Sequence, residues 1–344
     1  MADLSEPGAL SAPAVELVPA TATATATAAD VGTGPGTAAV AGGGTGGGTG
    51  RGRGRSRGRS VDEPGPVALG ELLGLTVDAQ AGPGRFVAAR HLRNTRGTLW
   101  GGCGLAAAIE VVRRRGGREC LWAQTHFLGP VQAGEAVELA LEPYGGLSQA
   151  VVRATVDGRV VFVTTGTFGR RSQDVTRFAP AADWAPPPSQ CPPRTFPDWL
   201  TFDRGGVMSL VEQRWARPQR TTLDGTPGRG RSALWLRMRT PGPSGRVLAD
   251  AELTASALAV LGDFAPVALI EALGDITYGT SLDNHLRVVA VPSGEWILLD
   301  VRVEAVVRNV AQLRASMYDH TGALVATVGQ STLVHRVRPT RSTS

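Results

Sequence analysis

The chain has 344 residues, with 35 Lys and Arg against 30 Asp and Glu and a formal net charge of +5. A balance this even gives no electrostatic case for a nucleic-acid protein, and the length allows one large or two medium domains. Three cysteines, Cys103, Cys120 and Cys191, without any CxxC spacing argue against a disulfide scaffold or a zinc ribbon. They fit a reducing cytosol, so a cytoplasmic location is expected. No apolar run is read as approaching the ~18 residues of a membrane span, and no basic-then-apolar leader opens the sequence.

Residues 1–62 lack the large apolar side chains that offset backbone entropy. They run from "TATATATAAD" through a Gly/Thr-rich stretch to "RGRGRSRGRS", and are expected to form a disordered tail. The alternating arginines are the only hint of an RNA partner, and no aromatics interleave them, so a solubilising tail is the plainer reading. Ordered sequence begins near Leu69. "GGCGLAAAIEVVRRRGG", from Gly101 to Gly117, predicts a helix with Leu105, Ile109 and Val112 as its apolar stripe and two glycines as its stop. Strands follow in "CLWAQTHFLGPV", "EAVELALEPYGG", "SQAVVRATVDG" and "RVVFVTTGTFG", with Asp157-Gly158 as a hairpin turn. This places a first unit at 63–170 and a Pro-rich linker at 171–195.

A similar order returns over 196–338, ahead of a short tail at 339–344. "VMSLVEQRWARP" and "RSALWLRMRTPGP" read as strands, and Leu248 to about Leu273 as a helix kinked or split at Pro266. "SLDNHLRVVAV", "EWILLDVRVEAVVRN", "AQLRASMYDHTG" and "ALVATVGQSTLVHRV" then read as strands. Setting Gly158 on Gly322 aligns the closing hairpins and puts Gly166 opposite Gln330. The architecture predicted is α+β: two repeats, each a helix laid across its own antiparallel sheet.

One aspartate, Asp263, interrupts the apolar stretch "LAVLGDFAPVALIEALG". Buried carboxylates cost several kcal/mol unless compensated, so Asp263 is either a helix cap or a charge kept for chemistry. Gln330 shares its strand parity with Leu324, Ala326, Val328 and Val334, which turns its amide into the apolar face. Ser281 opens a strand, with Asp283 on the same parity, and a strand-edge serine is the plainer reading. His126, His285 and His335 show no ligand spacing, so no metal site and no cofactor are expected. Cys103 reads as a small packing residue.

These segments resemble acyl-CoA thioesterase II-like proteins of the double-hotdog type. "WGGCGLAAAIEVV" is similar to the family's Gly-Gly entry into the hotdog helix, and "THFLGPVQAGEAVEL" and "GLSQAVVRATVDGRVVF" to the strands beyond it. In the second repeat "ALAVLGDFAPVAL", "TSLDNHLRV" and "GALVATVGQSTLVHR" resemble the segments carrying an Asp, a Thr or Ser, and a Gln. The resemblance implies hydrolysis of acyl-CoA thioesters by a water held on Asp263, Ser281 and Gln330, the alternative being a non-catalytic hotdog module that binds an acyl or aromatic ligand. It implies Gly101, Gly102 and Thr280 at the substrate, one site per chain, and a homo-oligomer. Ser281 stands where Thr is usual, with Thr280 as the alternative hydroxyl, and Asn284 stands where His is usual. Arg113–Arg115 offer cations for the coenzyme phosphates, though ordinary helix-end charge is the plainer reading.

Overall fold

In the computed structural model the described residues are 68–78, 82–145, 148–170, 178–195, 205–241 and 248–336. The proposed tails at 1–62 and 339–344 lie outside them. After a single helical turn, α1 (Leu69–Leu72), the first repeat runs β1 (Gly84–Val87), helix α2 (Gly101–Gly116), then β2 (Glu119–Phe127), β3 (Ala136–Tyr144), β4 (Gln149–Val156) and β5 (Arg159–Gly169). The second runs α3 (Val207–Leu210), β6 (Val211–Trp215), β7 (Arg231–Pro241), β8 (Leu248–Asp250), α4 (Ala255–Gly262) and α5 (Ala268–Leu273). It closes with β9 (Thr277–Ser281), β10 (Asp283–Val288), β11 (Ile297–Val307), β12 (Val310–Asp319) and β13 (Leu324–Arg336).

The strands form one antiparallel sheet in the order β1-β3-β4-β5-β2-β10-β13-β12-β11-β7-β6, with β8 on β7 and β9 on β13. The two repeats meet where β2 pairs with β10, Leu286 opposite Ala123 and Asn284 opposite Thr125. Ala123 also faces Gly166 across β5. The alignment of Gly166 with Gln330 therefore sets Ala123 on Asn284, and the central pairs Leu286–Ala123 and Asn284–Thr125 exchange under it. The register thus carries a pseudo-twofold axis between β2 and β10.

Helix α2 forms where predicted. Gly102 through Val112 are all buried, and Gly117 ends the helix in a left-handed turn at φ 58°. Two-residue turns with both residues at positive φ close the β4–β5 and β11–β12 hairpins, Asp157 and Gly158 at 47° and 79° and Arg308 and Asn309 at 49° and 62°. The second helical stretch differs from expectation. Leu248–Asp250 is a strand, α4 starts at a Thr254 cap, and the chain breaks after Asp263 into a 3₁₀ turn at Ala265–Val267 before α5. Pro266 sits in that turn, where its missing N–H costs nothing. The reading that no apolar run reaches membrane-spanning length is also corrected. Ala255–Leu273 is 19 residues long and apolar enough, yet most of it is buried inside the protein.

Three further strand readings change. Val207–Leu210 is a helical turn ahead of β6, and β1 was not anticipated. "SLDNHLRV" breaks into β9 and β10 at Leu282, which takes a hydrogen bond from Phe127 N while its own N–H goes to Ser331 O. The described part of the Pro-rich segment, 178–195, does more than link. Ala182 and Cys191 lie in a small core with Ala233, Trp235, Leu298 and Tyr318 on the outer face of the second half-sheet. Trp235 Nε1 donates to Pro186 O at 2.8 Å there.

Helices α2 and α4 cross closely because Gly102 has no side chain. A Cβ built there would stand 2.6 Å from Ala259 O and 2.8 Å from Val260 Cα. Backbone cannot yield as a flexible side chain can, so Gly102→Ala is expected to cost about 1–3 kcal/mol. Urea unfolding of the variant checks this, with a clear drop in midpoint as the expected result.

Candidate active site

The helix crossing brings the end of α4 against the start of α2, and Asp263 occupies the junction at 7% exposure. Its Oδ2 accepts the N–H of Gly102 at 2.8 Å. Its Oδ1 accepts Gln330 Nε2 at 2.7 Å and Asn284 Nδ2 at 3.3 Å. Gln330 Nε2 also reaches Ser281 Oγ at 2.6 Å. The cap reading of Asp263 is realised, and the side chains expected beside it are in place. The carboxylate caps a helix, though the helix belongs to the other repeat, and it lies among the amide and hydroxyl expected beside it.

The electrostatics favour a poised acid. Burial pushes the Asp263 carboxyl up, against the pull of hydrogen bonds from Gly102, Gln330, Asn284 and the Gly101 amide, and it settles at about 6. Cys103, one helical position on from Gly102, is fully buried. Its thiol is pushed far up by burial and by the nearby Asp263 charge. It is held as an uncharged packing residue, as read from the sequence.

Asn284 is the member that sequence reasoning left out of the site. Its strand parity with Leu286, the buried face of β10, was the available signal. His285, one place on, lies on the opposite face, where its ring covers Gly329. Asp283 does not touch Ser281. Its Oδ1 accepts Ser331 N at 2.6 Å, pinning the strand next to Gln330. Thr280 turns away from the cluster, accepting Arg96 Nη1 at 2.8 Å and lying 3.2 Å from His335 Nε2. The two hydroxyls are thus separated by strand alternation, and Ser281 is the one that faces Asp263's partners. Gly102 departs from its expected role, because its N–H is already given to Asp263 and is not offered to a substrate carbonyl.

A cavity of about 990 Å³ opens onto this cluster. Gly101, Asp263, Thr280 and Ser281 line it, with Trp100, Phe127, Phe162 and Phe264 among its apolar walls. Trp100 packs at a tilt against Phe264 at 4.8 Å and Phe127 meets Phe162 edge-on at 6.4 Å. Arg113 and Arg114, considered above as phosphate ligands, instead serve the far end of α2, where both pair with Glu110. Glu110 is the acid of the first repeat, and Ser256 Oγ donates to it at 2.7 Å. Burial would raise its carboxyl, but Arg113, Ser256 and Arg114 together hold it below the usual range. With Gly166 and Ala123 where the second repeat has Gln330 and Asn284, the first repeat has no comparable cluster. Among the described residues there is no group of His, Cys, Asp and Glu that could hold a metal.

Comparison with known proteins now bears on this geometry. Residues 188–334 match the family model of the acyl-CoA thioesterase C-terminal domain. Over those residues the chain is similar to acyl-CoA thioesterases. A candidate thioesterase from Novosphingobium aromaticivorans is 29% identical with a TM-score of 0.62, over 75% of this chain and 97% of that one. The tesB protein of Mycobacterium avium subs paratuberculosis is 20% identical (TM-score 0.57), over 78% of this chain and all of that one. A hot dog fold protein from Alicyclobacillus acidocaldarius is 17% identical (TM-score 0.63), over 79% and 98%. No curated protein matches the sequence. The double-hotdog architecture read from the two repeats is shared with these structures, and the likeness in sequence is to thioester hydrolases.

The raised carboxyl makes stability pH-dependent. Its folded value of about 6 exceeds the 3.8 of a free aspartate, so the folded state holds its proton longer, and stability falls as pH rises through that window. Asp263→Asn removes this component. Thermal melts from pH 3.8 to 7 are expected to fall less steeply for the variant than for the wild type.

Proposed function

We propose that the chain hydrolyses acyl-CoA thioesters at Asp263, and that Gln330 and Ser281 hold the attacking water against it. The observation that carries this reading is the shared Gln330 amide, which ties a buried carboxylate of raised pKa to a hydroxyl at the wall of an apolar cavity. Gln330 Oε1 supports it, being buried with no hydrogen-bond partner among the described residues. A water on Asp263 would give one proton to the carboxylate and its other hydrogen bond to that oxygen.

The step balances without a covalent intermediate. Water oxygen bonds to the thioester carbonyl carbon as Asp263 takes its proton. The carbon–sulfur bond then breaks, and the departing thiolate takes the proton back. General-base help of this kind is worth ~10²–10⁴-fold. A base near pKa 6 is ionised at neutral pH yet still accepts a proton readily, where an ordinary aspartate would be a weaker base. The apolar cavity walls suit an acyl chain, whose burial contributes ~0.8 kcal/mol per CH₂.

A panel of acyl-CoA esters with a thiol-reactive dye tests the reading. Thiol release from at least one chain length is expected, with kcat/KM rising through pH of about 6. Asp263→Asn is expected to lower kcat at least ~100-fold, and Gln330→Ala and Ser281→Ala by about tenfold each. Absence of thiol release across the panel, with ligand still raising the melting temperature, would make this a binding module instead.

A further inference from the structure

Among the described residues the short strand β9 has a partner on one side only, β13. Its register places Ser281 opposite Thr332, Gly279 opposite Val334 and Thr277 opposite Arg336. Leu282 N donates to Ser331 O, and Val334 N donates to Asn309 O, away from β9. In an antiparallel ladder this fixes the alternation. The main-chain groups of Tyr278 and Thr280 point to β13, and those of Thr277, Gly279 and Ser281 point to the open edge. Every residue of β9, odd and even alike, lines the cavity, as an edge does and a face does not.

Two side chains mark this edge as a ligand site. Arg96 lies over the Tyr278 ring at 4.8 Å and gives one N–H to Thr280. Among the described residues no acid pairs with it, so its other donors remain available. Thr277 Oγ1, at the far end, is buried with no hydrogen-bond partner among the described residues. Three outward-facing residues spaced two apart make a strip of ~14 Å that ends at Ser281.

We propose that this open edge with Arg96 is the docking strip for the amide-bearing arm of the thiol half of the substrate, bound as an added strand. The inference rests on the hydrolase reading and specifies which wall of the cavity takes the leaving group. An extended pantetheine arm spans ~15 Å, close to four extended residues, and carries two amides that can exchange hydrogen bonds with Ser281 and Gly279. Its thioester end then lies at Ser281, beside Asp263 and Gln330. Arg96 lies along the strip rather than beyond it, so it donates to an amide carbonyl of the arm and not to the distal phosphates.

Kinetics with one acyl group on CoA, on pantetheine and on N-acetylcysteamine, which keeps only the first amide, test this. Wild type is expected to prefer both longer thiols to N-acetylcysteamine by at least tenfold in kcat/KM. Arg96→Ala is expected to shrink that preference several-fold for CoA and pantetheine alike, through KM. A preference that Arg96→Ala leaves unchanged, or a loss confined to CoA, would overturn the proposal. Calorimetry with free pantetheine gives a readout independent of turnover. Binding weakened by Arg96→Ala supports the strip even if no thioester is hydrolysed, a result that would remove the hydrolase reading alone. No binding of pantetheine to wild type would overturn the strip.

Discussion

A carboxylate held at a helix crossing must have its oxygens satisfied or give up its charge. Asp263 does part of each. It accepts the Gly102 N–H in the first turn of the other repeat's helix at 2.8 Å, where the helix end favours an anion, and it takes two side-chain amides from the sheet. Burial still outweighs those contacts and leaves the group near 6. The same atom set therefore joins the two repeats and carries the hydrolysis proposed above. Capping and catalysis were opposed as readings of this residue, yet physically they are compatible.

Close packing is what permits this. With Gly102 on α2, the end of α4 approaches to backbone contact. The 3₁₀ turn after Asp263 frees the carboxyl from its own helix. The break between β9 and β10 at Leu282 lets Asn284 reach Asp263 and Ser281 reach Gln330 from two strands that both pair with β13. On the other side of the pseudo-twofold axis, Glu110 holds the comparable end of α2 but is neutralised by Arg113 and Arg114. One repeat holds its acid below the usual range by ion pairs, and the other holds its acid above that range by burial.

Much of this was legible before any coordinates. Strand parity alone turned Gln330 inward and separated Asn284 from His285, and a lone acid in an apolar run marked Asp263. The Gly166–Gln330 alignment agrees with the central register. The parts that were not legible depend on contacts distant in sequence. Nothing near Gly102 says that its N–H will be taken by a residue 161 positions away. Strand propensity could not show that Leu282 is a corner, because its hydrogen bonds go to Phe127 and Ser331. The Pro-rich segment lacks periodicity because it covers a sheet through a few anchors such as Ala182 and Cys191.

The central claim is that the Asp263 carboxyl is buried between the repeats with its ionisation shifted upward. Carbon-detected NMR of the ¹³C-labelled side-chain carboxyls, assigned with Asp263→Asn, measures it directly. The account predicts an Asp263 titration midpoint near 6. A midpoint at or below the free-aspartate value of 3.8 would contradict it, because the carboxylate would then be either solvated or fully stabilised as a cap.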